Sequence, residues 1–84
     1  MLARSTAASR YAVLKRPTAR DHYVQRIPMW EAVQRLGSAN RAELLRELQR
    51  VGYVRPNGAA VDESYCRIEL TDMTRRGFLT RVAG

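Results

Sequence analysis

Two polar side chains near the middle of the chain have the chemistry and the spacing to contact bases. Arg46 and Gln49 lie three residues apart, so an α-helix would place them on one face. In the major groove of DNA, arginine can bind guanine and glutamine can bind adenine, each through two hydrogen bonds. Ala42 lies on the same face and is small enough to allow close approach. These residues predict base recognition by a helix.

Other basic residues have the chemistry to bind phosphate groups beside such a helix. Guanidinium and ammonium groups bind phosphate oxygens and position a protein on nucleic acid without reading its sequence. The residues expected in this role are Arg41, Arg50, Arg35, Lys15 and Arg16. The alternative is that the arginines of this helix form ordinary surface pairs with Glu43 and Glu47, which also reduce its positive field.

The residue types that enzymes and metal sites need are scarce. The chain has one histidine and one cysteine, so one copy cannot assemble a zinc site of the His/Cys type or an internal disulfide. His22 would need a partner to act as a base, and we expect a surface or half-buried histidine. Cys66 is expected to be a buried thiol. We therefore expect no enzymatic activity, no cofactor and no metal.

Length and charge limit the class of protein further. The 84 residues can bury only ~60–65% of their unfolded surface, which favours one small domain over residues 1–84. The net charge of +7 favours polyanionic partners. No apolar run approaches the ~20 residues of a membrane span, so we expect no membrane partner. We expect a cytoplasmic location, with a mitochondrial location as the alternative.

The positive charge is concentrated in the first half of the chain. Residues 1–42 carry a net charge of +6, and residues 43–84 carry +1. Residues 1–20 hold five basic residues and no acid, and they predict a basic N-terminal helix or arm. Three interpretations stay open for this segment: an arm that binds nucleic-acid phosphates, a mitochondrial targeting segment, or a solvated helix without a partner.

Hydrophobic periodicity predicts several helices in the first two thirds of the chain. A helix is predicted over 4–16, and a short helical stretch over about 18–27. A further helix over 29–36 should end at Gly37. The helix over 41–51 should begin with a capping box of Asn40 and Glu43. Its predicted buried stripe consists of Leu44, Leu45, Leu48 and Val51.

After Gly52 the pattern favours strands. Residues 53–55 predict a short strand, 55–58 a turn, and 59–61 either a returning strand or part of a loop over 56–64. Residues 65–70 alternate and predict a strand with an inward face of Cys66, Ile68 and Leu70. Thr71 is expected to cap a final helix that carries Met73, Phe78, Leu79 and Val82.

The stretch from Glu31 to about Leu79 resembles a winged helix-turn-helix domain. The resemblance rests on a leucine-rich helix that ends at glycine before an aromatic and aliphatic pair, and on a Leu-Thr pair followed by glycine and another apolar pair. The residues concerned are Leu48, Gly52, Tyr53, Val54, Leu70, Thr71, Gly77, Phe78 and Leu79. The resemblance implies a mostly helical α+β fold with three helices, a β-hairpin wing and a C-terminal helix, and a winged-helix core over 28–83.

The same resemblance implies a DNA-binding function with helix 41–51 in the major groove. We expect a transcriptional or mobile-element regulator that acts as a dimer, because one small module has a small footprint. Asp62 and Glu63 fall at the expected wing tip, where they would repel phosphate, so the wing tip should not grip the backbone.

Three alternatives remain. The chain could be a subunit of a ribonucleoprotein or mitochondrial assembly that contacts RNA through its N-terminus. It could be a ribbon-helix-helix dimer, because Tyr11, Val13 and Lys15 alternate with their neighbours like an intermolecular strand. It could also be a winged helix that binds protein, with arginines that serve solubility.

Overall fold

Three helices and a two-stranded antiparallel sheet make up the described part of the chain. The computed structural model describes residues 9–18 and 27–82. The elements are β1 (Arg10–Val13), α1 (Ile27–Leu36), α2 (Arg41–Val51), α3 (Glu63–Arg75) and β2 (Leu79–Val82). The expected α+β class with mostly helical content is confirmed.

The first two helices follow the sequence prediction closely. The Asn40 side chain accepts from the backbone N–H of Glu43 at 2.9 Å, and the Glu43 carboxylate accepts from the Asn40 backbone N–H at 3.1 Å. This predicted capping box satisfies two backbone donors that helix α2 would otherwise leave unpaired. Gly52 ends α2 in the left-handed conformation, with a φ of 76°. Val51 departs from the predicted stripe, since it is 48% exposed.

A loop, and no strand, connects α2 to α3. The predicted strand over 53–55 is absent. Of the two alternatives for 59–61, the loop is confirmed, and it ends before α3 begins at Glu63. The predicted turn is present, because the backbone N–H of Gly58 donates to the carbonyl of Arg55 at 2.8 Å. The backbone N–H of Arg55 donates to the carbonyl of Ala59 at 3.1 Å, so the loop folds back on itself without extending into a sheet.

Helix α3 occupies the segment in which the sequence predicted a wing strand, so that strand over 65–70 is wrong. The Asp62 carboxylate accepts from the backbone N–H of Tyr65 at 2.8 Å and caps the helix. Cys66, Leu70 and Met73 have helical spacing and are all buried, whereas Ile68 is 52% exposed. The alternation of apolar residues over 65–70 is a short coincidence within the longer helical spacing of buried residues.

The predicted final helix is also wrong. Thr71 lies inside α3 and does not cap it. Gly77 ends this part of the chain with a φ of 86°, and the backbone N–H of Phe78 then donates to the carbonyl of Met73 at 2.9 Å. This turn reverses the chain, and Leu79–Val82 continues as strand β2.

Strand β2 pairs with β1, which brings the two ends of the described chain together. Arg10 faces Val82 across the antiparallel pair, and Val13 faces Leu79. On its other side, Tyr11 exchanges two backbone hydrogen bonds of 2.9 Å with Ala39, between α1 and α2. The predicted helix over 4–16 is therefore wrong at β1.

The pairing does not favour the ribbon-helix-helix alternative, because β1 pairs with β2 of the same chain along one side and forms a single bridge with Ala39 on the other. The other sequence expectations for the first quarter of the chain concern residues 1–8 and 19–26. These include His22 and most of the predicted helical stretch over 18–27, and they lie outside the described residues.

The core lies between the three helices and one face of the sheet. Helix α1 contributes Met29, Trp30 and Val33, and Trp30 is only 5% exposed. Its indole N–H donates to the carbonyl of Phe78 at 3.0 Å, which satisfies the one polar atom of the side chain. The remaining core residues are Ala32, Leu44, Leu48, Val61, Cys66, Leu70, Met73, Phe78 and Leu79. Over residues 9–18 and 27–82, every helix is too short or too polar to cross a bilayer.

The assignment of residues 63–75 to a helix can be tested by two alanine substitutions. Leu70→Ala should lower the free energy of unfolding by about 2–5 kcal/mol, because it empties a buried site. Ile68→Ala should change it by less than about 0.5 kcal/mol, because Ile68 is largely exposed. Urea denaturation measures both values. A strand would turn both side chains inward, so equal large losses would contradict the helix.

Candidate nucleic-acid interface

The outer face of α2 presents the residues that the sequence predicted to read bases. Arg46, Gln49 and Arg50 are exposed, and Ala42 is half-buried beside them. Their positions span less than half of the helix circumference, as the spacing requires. The geometry therefore leaves this face accessible to a partner.

Two carboxylates hold several of the arginines on this side of the molecule. The Glu47 carboxylate accepts from Arg50 at 2.6 Å and from Arg35 at 2.8 Å, while its side chain is only 9% exposed. The hydrogen bonds from Arg50, and then those from Arg35, lower the pKa of Glu47 from 4.5 to about 2. Glu47 thus joins α1 to α2 and neutralises part of the predicted phosphate-binding charge.

Glu43, at the start of α2, pairs with a third arginine. Arg10 of β1 lies 2.7 Å from the Glu43 carboxylate and also donates to the Ser38 hydroxyl at 3.1 Å. The backbone N–H of Asn40, followed by Arg10, lowers the pKa of Glu43, and the nearby charge of Arg46 adds to the effect. Glu43 is therefore ionised at neutral pH next to Arg46.

The other predicted phosphate-binding residues lie elsewhere. Arg41 projects from the start of α2 toward α3, where its Nε is 2.9 Å from the Glu63 carboxylate. Arg16 pairs with Glu31 at 2.9 Å and lies 5.4 Å from the centre of the Trp30 ring. Lys15 is exposed beside it. The eight predicted residues are thus divided among three places on the molecule.

Helix α3 exposes a polar face that the sequence analysis missed. Arg67, Thr71 and Arg75 follow one another at intervals of four residues, and all are exposed together with Ile68. Within the described ranges, Arg67 and Arg75 have no carboxylate within ion-pair distance. Reading 65–70 as a strand concealed this face. The spacing of Cys66, Leu70 and Met73 was the signal that could have revealed it.

A pocket of about 240 Å³ lies between α3, the start of α2 and the sheet. It combines guanidinium groups, hydroxyl groups and an apolar side chain. We call it the arginine pocket, and its lining consists of Ser9, Tyr11, Arg41, Arg67, Leu70, Thr71 and Arg81. Arg81 is held there by the Ser9 hydroxyl, to which it donates at 2.9 Å.

The expected buried state of Cys66 is confirmed, although the residue lies on a helix. Burial, with smaller contributions from Asp62, Glu63 and Glu69, raises the pKa of the Cys66 thiol to about 12. The thiol is therefore protonated at neutral pH and lacks the thiolate that nucleophilic chemistry requires. Across residues 9–18 and 27–82, no three His, Cys, Asp or Glu side chains are grouped to hold a metal ion.

Comparisons with family models, with curated proteins and with solved structures found no match for this chain.

The shifted pKa of Glu47 predicts how acid affects stability. Ionised Glu47 should stabilise the fold at all pH values above about 4.5, and this contribution should disappear as the pH falls toward 2. The stability difference between the natural protein and Glu47→Gln should therefore be constant near neutral pH and shrink below pH 4.5. Urea denaturation between pH 7 and pH 2 measures it. A difference that does not change across this range would contradict the ion pairs.

Proposed function

We propose that this protein binds duplex DNA through the exposed face of α3 and acts as a small regulator of transcription or of a mobile element. The observation that carries the proposal is the row formed by Arg67, Thr71 and Arg75 on an open helix surface. Exposed arginines that form no ion pair within the described ranges can bind phosphate, which releases counterions from the nucleic acid.

Arginines outside ion pairs favour the α3 face over the α2 face. On the α2 side, Glu43 and Glu47 hold three arginines in ion pairs, and the charge of Arg46 lies near Glu43 and lowers its pKa. On the α3 side, Glu69 and Asp72 line the same groove as Arg67 and Arg75, yet neither arginine forms an ion pair within the described ranges. A duplex phosphate can therefore approach two arginines of α3 without displacing an ion pair.

The dimensions and chemistry of α3 also suit a major groove. Thirteen residues give a rod about 20 Å long, and the groove is about 12 Å wide. Arginine can bind guanine, and a threonine methyl group can contact thymine. Ile68 would add an apolar contact of the same kind, which accounts for an isoleucine with 52% exposure on a charged face.

Within the α+β class, we propose that the fold is a winged helix in which the sheet of β1 and β2 is the wing. Strand β2 follows α3 after the turn at Gly77, so the sheet lies beside the helix that would enter the groove. Arg81 is exposed on this sheet and is available to backbone phosphates. The described part of the N-terminal segment belongs to this sheet, which supports a compact DNA-binding domain over an arm that threads into an assembly.

A single domain of this size covers a short site, so we propose that two copies bind adjacent half-sites. Two subunits on one duplex double the number of phosphates contacted. Sedimentation of the protein with duplexes of one and two helical turns would show whether the second copy requires the longer duplex.

The proposal is tested by fluorescence anisotropy with a labelled 20-base-pair duplex at several salt concentrations. With ~4–6 phosphates contacted, the logarithm of the affinity should fall against the logarithm of salt with a slope of about −4 to −5. Arg67→Gln should weaken binding about tenfold, whereas Arg46→Gln should change it less than about twofold. Each variant removes one charge from an exposed helical arginine, so they are matched.

The outcomes separate the possible readings. A larger loss in Arg46→Gln would assign base contact to α2, as the sequence analysis expected. Preference for a single-stranded or double-stranded RNA over the DNA duplex would support the ribonucleoprotein alternative. No binding to any duplex at low salt would overturn the proposal.

A further inference from the structure

We propose that the arginine pocket binds a single phosphate group. The identity of this phosphate as part of a DNA backbone rests on the proposed function, whereas the chemistry of the pocket does not. Three arginines, Arg41, Arg67 and Arg81, line one concave site, and they come from two helices and a strand. Planar guanidinium groups donate paired hydrogen bonds that match the oxygens of phosphate.

The lining of the pocket favours an anion with several oxygens. Ser9, Tyr11 and Thr71 each bring a hydroxyl group, and no carboxylate lines the pocket within the described ranges. Hydroxyl groups and guanidinium groups together offer more donors than a single carboxylate can accept. A tetrahedral phosphate, with three or four oxygens that face different directions, uses such a set better than a planar anion does.

Two of the three arginines already have partners. The Arg41 Nε lies 2.9 Å from the Glu63 carboxylate as an ion pair, it is buried without a hydrogen-bond partner, and the side chain is only 26% exposed. Arg81 donates to the Ser9 hydroxyl at 2.9 Å. Restricting these long side chains in advance lowers the entropy that binding costs. Glu63 does not line the pocket, but it cancels part of the charge of Arg41.

The volume of the pocket and its apolar wall limit which ligands it can bind. Its 240 Å³ is below the ~300–1,000 Å³ of pockets that enclose drug-sized ligands, so it suits a phosphate with adjacent sugar oxygens more than a whole nucleotide. Leu70 is buried and forms an apolar part of the wall. Apolar surroundings reduce the local dielectric constant and strengthen each interaction with the anion.

The position of the pocket connects it to the proposed DNA surface. Arg67 and Thr71 line the pocket and also an open groove along α3, which is lined further by Ile68, Glu69, Asp72, Arg75 and Arg76. A backbone phosphate in the pocket would therefore fix the register of α3 on the duplex. Phosphate contacts of this kind position a protein, while base contacts give it specificity.

The test is a titration of the full ¹⁵N-labelled chain with inorganic phosphate, against chloride at the same ionic strength, followed by NMR. The resonances of Arg41, Arg67, Thr71 and Arg81 should shift and saturate with phosphate. Affinity should fall about tenfold in Arg81→Gln and change less than about twofold in Arg75→Gln. Arg75→Gln is the matched control, because Arg75 is exposed on α3 but does not line the pocket.

Duplex DNA forms the second arm of the experiment. Arg81→Gln should make the salt slope of DNA binding shallower by about one, which corresponds to one lost phosphate contact. Saturable phosphate binding without DNA binding would keep the pocket, reject the proposed function and assign the phosphate to a small phosphorylated ligand. Normal DNA binding, with shifts that do not saturate or that are equally weakened in Arg75→Gln, would overturn the pocket and leave the proposed function intact.

Discussion

One backbone carbonyl, that of Phe78, joins three separate parts of the chain. It accepts from the indole N–H of Trp30 at 3.0 Å and from the backbone N–H groups of Leu14 and Lys15 at 3.0 and 3.2 Å. Helix α1, the end of β1 and the start of β2 therefore meet at this oxygen. Because the buried indole N–H of Trp30 would be costly to leave unpaired, this junction stabilises the chain reversal after α3 and places the sheet beside it. The arginine pocket exists only because that reversal brings Arg81 back toward Arg41.

The described carboxylates hold arginines on both sides of the molecule. Glu47 and Glu43 pair with arginines between α1, α2 and β1, and Glu31 pairs with Arg16. At α3, Glu63 pairs with Arg41 and Asp72 pairs with Arg76. Within the described ranges, Arg67 and Arg75 stay outside these ion pairs and lie exposed on one face of α3 with Thr71 between them. A polyanion can approach these two charges without displacing a carboxylate.

The sequence predicted the elements whose signals are local and failed where pairing partners decide. Asn40 and Gly52 cap and end α2 through contacts within a few residues, so its bounds were predictable. Over 65–70, the apolar residues fit both the alternation of a strand and the spacing of a helix. The N-cap from Asp62 and burial against the other helices favour the helix. The alternation at Tyr11, Val13 and Lys15 indicated a strand only as an intermolecular alternative, because the partner of β1 is β2, almost seventy residues away. The sequence analysis also missed the exposed face of α3, because a helical face cannot be seen in a segment interpreted as a strand. Base reading by Arg46 and Gln49 stays a prediction.

The most direct test of the account is a map of amide chemical-shift changes when the ¹⁵N-labelled protein is titrated with a short DNA duplex. The account predicts that the largest changes fall on α3 and on the sheet, at Arg67, Thr71, Arg75 and Arg81. Changes confined to the outer face of α2, at Arg46 and Gln49, would contradict it.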